Sequence, residues 1–177
     1  MEKTARLLAE SQTATFRYNF PYIERGKKAP DPQPVLKAAV ASAIGKALEE
    51  GKGLPLFAGG KSLGARMTSA TELPSEVRGL VFFGFPLHAP GRPSTERAGH
   101  LHGLSLPMLF LQGTRDAFAD MGFLKPLCEK PGEKVTLHVV PEADHSFHVP
   151  KRSGRSDEEV LAEIVTVATG WMETHEG

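Results

Sequence analysis

An α/β fold, with a mainly parallel sheet of about five strands and helices on both faces, is what this sequence predicts. Two observations point there. Short apolar runs recur at residues 54–59, 77–84, 107–113 and 135–140. Strands covered on both faces read as such runs rather than as alternating ones. Segments of helical length lie between them, so strand and helix alternate along the chain. The 177 residues are enough for one domain with a real core, and residues 1–177 are read as that single domain.

The elements follow in order. Residues 2–12 set Ala5, Leu7, Leu8 and Ala9 among charged neighbours, which suits a short helix. Residues 13–20 alternate and are rich in Thr, Phe and Tyr, so they are expected to form a strand that Pro21 ends. Residues 25–34, with three prolines and a glycine, read as a loop. Residues 35–50 carry an i, i+3, i+4 apolar stripe from Val35 to Leu48, a helix with Gly51 as its expected C-cap. A strand over 54–59 leads into the start of a further helix at Ala65. After the strand at 77–84, residues 85–103 are long and irregular, with three prolines, as functional loops often are. The strand at 107–113, a short helix at 121–130 and the strand at 135–140 follow. The closing helix at 157–174 opens on Ser156-Asp157-Glu158-Glu159, a capped and acidic first turn.

Composition narrows the function. Basic and acidic residues number 21 each, so the formal net charge is zero, and no nucleic-acid or membrane-surface footprint is expected. The lone Cys128 rules out an internal disulfide, reads as structural, and suggests a reducing, cytoplasmic setting. No apolar run is long enough to span a bilayer, and the N-terminus does not read as a secretory signal. Gly59-Gly60-Lys61-Ser62 misses the spacing of a phosphate-binding loop. His100 and His102, or His145 and His148, have no thiolate or carboxylate pattern to make a metal site. No metal and no cofactor are expected.

Gly60-Lys61-Ser62-Leu63-Gly64 stands between a strand and a helix. A Gly-x-Ser-x-Gly in that setting is a nucleophile elbow: the serine occupies a strained turn with Oγ exposed at the sheet end, and its neighbours must be small. Gly113-Thr114-Arg115-Asp116 and Ala143-Asp144-His145 each follow a later strand. Serine, acid and histidine therefore occur in that order at strand C-terminal ends, where open α/β sheets place their sites. Ser62 is the expected nucleophile, His145 its base and then the acid, and Asp116 the group that orients the imidazole. The backbone N–H of Leu63 is the expected oxyanion donor. Asp120 competes with Asp116, and His148 with His145. Phe20, Pro21 and Tyr22, with Phe85 and Pro86, are expected to line a substrate pocket.

The segments Arg17-Tyr18-Asn19-Phe20-Pro21-Tyr22, Ala29-Pro30-Asp31-Pro32, Gly59 through Met67, Gly84-Phe85-Pro86-Leu87-His88, Leu111 through Asp116 and Ala143 through Phe147 cover almost the full chain. In combination they resemble the small α/β-hydrolases related to dienelactone hydrolases. The branch most similar includes testis-expressed protein 30 and the hydrolase-like subunit of the NSL complex. The resemblance implies the same triad, Ser62, Asp116 and His145. Its relatives with a known activity are mostly esterases, which says little about what is cleaved, and an ester-like small-molecule substrate is the expectation.

Members of that family begin with strands and a His-Gly-x-Gly-type turn that supplies the second oxyanion N–H. This chain carries no such motif, and the resemblance implies a fold lacking its N-terminal strands. Three arrangements would fill the gap in the sheet. Residues 15–20 would pair with 54–59, a second chain would lend an edge and make a homodimer, or the true start would lie upstream. The leading expectation is a serine hydrolase of the esterase type with weak activity. The alternative is a hydrolase-fold interaction domain without catalysis.

Overall fold

A computed structural model describes residues 1–129 and 134–176. Helix α1 (Glu2–Glu10) and a short α2 (Pro21–Glu24) precede the long α3 (Gln33–Gly51). Strand β1 (Leu56–Lys61), helix α4 (Leu63–Ser69) and β2 (Val77–Phe83) come next. They are followed by β3 (Met108–Gly113), α5 (Met121–Glu129), β4 (Val135–Val140) and α6 (Asp157–Glu173). A 3₁₀ segment, Glu96–Gly103, interrupts the long irregular stretch before β3. Lys130, expected to end the helix at 121–130, lies outside the described residues.

The described strands form one parallel sheet in the order β1-β2-β3-β4. The two central strands are buried almost throughout, and the two outer ones only in part. That contrast explains why β2 and β3 read as unbroken apolar runs. Side chains alternate between the faces. Leu80 and Phe82 of β2, with Met108 and Phe110 of β3, meet Leu36, Val40 and Ile44 of α3 and Leu124 and Leu127 of α5. Val81, Phe83, Leu109 and Leu111 meet Val160, Ile164, Ala168 and Trp171 of α6 on the other face. Helix α1 packs on α6, where Lys3 and Glu158 lie 3.6 Å apart.

The sheet has four strands among the described residues, close to the about five expected. Residues 13–20 are not a strand, and Phe16 and Tyr18 are exposed. The alternation and the β-branched residues supply propensity, but a strand needs a paired edge, and here it has none among the described residues. Pro21 opens α2 instead of merely ending a strand, because its fixed φ suits a first helical position. The left-handed residue that ends α3 is Lys52, at φ 45° and ψ 47°, one position beyond the glycine expected there.

The start of α6 is the expected capping box. Ser156 Oγ accepts from Glu159 N–H, and Glu159 Oε2 accepts from Ser156 N–H. Replacing Ser156 by alanine leaves Glu159 N–H without its side-chain acceptor and removes the hydroxyl that also donates to Glu159 Oε2. The variant is expected to lose about 1 kcal/mol of stability, measured as a lower urea midpoint at unchanged slope.

Candidate active site

Ser62 sits where β1 ends and α4 begins, with φ 54° and ψ −117°. A side chain at that φ is strained, by about 1–3 kcal/mol in general, and the surroundings hold it. Its N–H donates to Gly84 O at 3.2 Å, and its carbonyl accepts the first bond of α4 from Arg66 N–H. A Cβ on Gly60 would lie 2.8 Å from the Gly64 carbonyl carbon, so the elbow tolerates no larger residue at Gly60. Leu63 is the first residue of α4, and its N–H is among the start-of-helix donors that have no intrahelical partner.

Asp116 and His145 come together on the loops after β3 and β4. His145 Nδ1 lies 2.7 Å from Asp116 Oδ2. The carboxylate side chain is fully buried and well supplied with donors. Oδ2 also accepts from Gln112 Nε2, and Oδ1 accepts from Phe118 N–H at 2.8 Å. Hydrogen bonds therefore replace the solvent that the carboxylate has lost. With a carboxylate at Nδ1, the neutral ring carries its proton there and offers a lone pair at Nε2. Nε2 is buried and has no hydrogen-bond partner among the described residues, Ser62 Oγ included. The imidazole is otherwise held by packing. The Phe118 ring lies 4.5 Å from it, centroid to centroid, and a Cβ on Gly84 would approach Nδ1 to 3.4 Å.

Both competitors have other roles. Asp120 starts α5: its Oδ1 accepts from Gly122 N–H, and its own N–H donates to His88 Nε2. His148 is exposed and pairs with Asp157 at 2.9 Å. Asp157 also accepts from Val149 N–H and so ties the histidine loop to α6.

The expected pocket wall is placed differently. Phe85 is fully buried, packed against Phe82 and Phe110 with centroids 5.3 and 5.6 Å away. Pro86 is buried, and Phe20 belongs to the same core cluster. Pro21 and Tyr22 are half-buried at the start of α2, Tyr22 stacking on Phe20 at 6.3 Å. Phe20 and Phe85 are core residues here, both buried within the cluster that also holds Phe82 and Phe110. A cavity of about 300 Å³ opens elsewhere, against Lys61, Phe83, Ser146, Phe147, the first turn of α1 and α6.

Three contributors went unread in the sequence. Gln112 bridges Phe85 N–H, which donates to its Oε1 at 2.9 Å, and Asp116. Its signal was the single polar side chain in the apolar run of β3. Gly84, at φ 72°, receives the elbow and floors the imidazole. Lys61 reaches the histidine loop, donating to His145 O at 2.9 Å. Cys128, by contrast, lies in the core, where burial pushes its thiol up to about 12. No group of three or more His, Cys, Asp and Glu side chains among the described residues is arranged to hold a metal ion. No helix among them is long and apolar enough to cross a membrane.

A parallel sheet with a serine elbow and an Asp–His pair on its C-terminal edge defines a class of fold. The chain belongs to the alpha/beta hydrolase domain family, whose profile matches residues 1–173. Solved structures share the fold. An alpha-beta serine hydrolase homologue from Coxiella burnetii is 20% identical, with 93% of this chain and 74% of that one covered at a TM-score of 0.73. A lidless α/β serine hydrolase from Xanthomonas campestris is 20% identical, with 96% and 72% covered at 0.70. The esterase domain of a Rhodothermus marinus protein is 17% identical, with 99% and 80% covered at 0.70.

The pairing of His148 with Asp157 gives the histidine loop a pH signature. The aspartate holds His148 above the ordinary histidine range, and His148 holds Asp157 below the ordinary carboxylate range. The His148 contribution to stability is complete below about pH 6.5 and is lost as pH rises through the higher folded value. The Asp157 contribution is lost only in acid, through a folded value below the ordinary one. His148→Ala is expected to flatten the fall in urea midpoint between about pH 6 and 8. An unchanged pH profile in that variant would count against the pair.

Proposed function

We propose that this protein is a serine hydrolase that cleaves an ester or related acyl compound through Ser62, His145 and Asp116. One observation carries the reading: a buried His145 Nε2 without a partner, on a ring tied to Asp116, beside an elbow that holds Ser62 in a strained backbone. The reaction follows from those atoms. Nε2 takes the Ser62 hydroxyl proton as Oγ bonds to the acyl carbon, and the carbonyl oxygen gains negative charge. Leu63 N–H stabilises that oxyanion. The imidazolium, steadied by Asp116, returns the proton to the leaving oxygen as its bond to carbon breaks. Water, deprotonated by Nε2, then releases the acid and restores Ser62. The matching segments favour the branch related to dienelactone hydrolases, and the fold of an esterase domain among the neighbours accords with an ester substrate.

A second reading is a hydrolase-fold domain with little or no turnover. It is favoured by the absence of a hydrogen bond between Ser62 Oγ and Nε2. Hydrogen bonds in unliganded active sites commonly tighten only with substrate, so geometry alone leaves the first reading standing. A fluorophosphonate separates the two. Intact mass of the folded protein is expected to show one stoichiometric adduct, absent in Ser62→Ala and His145→Ala. Asp116→Asn is expected to slow labelling by a factor of about 10³–10⁴, as loss of the orienting acid does elsewhere. Folded protein without any adduct would establish the second reading.

A further inference from the structure

Lys61 is the residue before the nucleophile, yet its side chain serves the base. It leaves the end of β1 and donates to the main-chain carbonyl of His145 at 2.9 Å, spanning a sequence separation of 84 residues. The contact joins the strand that carries Ser62 to the loop that carries His145, past the intervening ends of β2 and β3. The ammonium also lies 5.2 Å from the centre of the Phe147 ring, two residues beyond His145. A cation over an aromatic face is attracted to it. It is half-buried, and burial lowers its pKa while the carboxylates of Asp144 and Asp116 act in the opposite sense.

The rest of the histidine loop is tied to its own side of the sheet. Arg115 N–H donates to Ala143 O at 2.9 Å, and Asp144 Oδ1 accepts from Ser146 and His148 N–H. A Cβ on Gly113 would lie 2.2 Å from Ala143 O, so the acid and histidine loops are pressed together. These contacts fix His145 relative to Asp116. Toward Ser62, the imidazole has the packing of Gly84, whose carbonyl accepts from Ser62 N–H. The lysine contact adds a direct hydrogen bond, because one residue supplies both the backbone neighbour of Ser62 and the donor to His145.

We propose that Lys61 is a positioning residue that sets the distance between nucleophile and base by clamping the His145 carbonyl to the elbow. A surface lysine has no need of such a contact, since water satisfies its ammonium. Here part of that hydration is given up for one carbonyl and one ring face. Proton transfer is sensitive to a displacement of about 1 Å, which can change a rate 10²-fold, so the effect belongs on the chemical step. The catalytic half of the inference rests on the serine-hydrolase reading above. The clamp itself does not.

Two measurements on the full chain test it, with Lys61→Met for an uncharged side chain of similar reach and Lys61→Arg to restore a donor. The first is the rate of fluorophosphonate inactivation over a range of probe concentrations. Lys61→Met is expected to lower the limiting rate at least tenfold, with half-saturation changed less than twofold, and Lys61→Arg to recover part of the loss. Equal shifts in both parameters, or no shift, would overturn the proposal. The second is the proton NMR signal of His145 Nδ1–H, assigned by its loss in His145→Gln. Its exchange with solvent is expected to accelerate at least tenfold in Lys61→Met at an unchanged melting temperature. Unchanged exchange would overturn the clamp whether or not the wild type is labelled. Labelling absent in the wild type, with exchange still accelerated in Lys61→Met, would retain the clamp and remove the serine-hydrolase reading.

Discussion

The close approach of β1 and α4 at Ser62 is the constraint on which the rest of the structure depends. A chain that turns from strand to helix across one residue must place that residue at positive φ and exclude side chains around it. Gly60 meets the second demand against Gly64, and the bond from Ser62 N–H to Gly84 O anchors the turn on β2. Relaxing the serine to an ordinary conformation would move Oγ away from the sheet edge and pull α4 off the core, where Ala65 and Met67 are buried. Strain at one residue is thus held by packing distributed over a whole face of the sheet.

The acid and the base are organised differently. Asp116 is satisfied from three directions, by a ring nitrogen, a side-chain amide and a backbone N–H. Gln112 carries particular weight because it faces both ways. Its oxygen holds Phe85 N–H just after β2, and its nitrogen holds the carboxylate after β3. His88 extends the same scheme: Asp120 N–H donates to its Nε2, so its proton sits on Nδ1, where Ala89 O accepts it. Neutral side-chain donors and acceptors, threaded between loops, keep the site rigid without adding charge.

Much of this was legible in the sequence, for reasons that differ by element. The central strands were readable because burial on both faces imposes unbroken apolar runs. The elbow was readable from Gly-x-Ser-x-Gly between a strand and a helix; its steric demand falls on Gly60, whereas a Cβ at Gly64 would meet nothing within 4 Å. The sequence favours Asp116 over Asp120, but what separates them is contact that local sequence does not encode: Asp116 meets His145, and Asp120 accepts from Gly122 N–H at the start of α5. Residues 13–20 misled for a related reason: alternation states which side chains could share a face, but strand formation depends on a partner that local sequence does not encode. Phe20 and Phe85 followed the same logic. Proximity to a strand end suggested a pocket wall, whereas both rings are buried in the core cluster.

The arrangement of Ser62, Asp116 and His145 also bears on when the site exists during folding. They lie beyond β1, β3 and β4, and every strand pairing in this sheet is parallel, so each must close a long crossover before its contacts form. Topologies rich in such non-local pairings fold slowly. No single hairpin or helix pair can bring these residues together ahead of the sheet. Any reactivity that the serine has is therefore a property of the assembled sheet, since nucleophile, acid and base meet only when the crossovers joining β1 to β4 have closed.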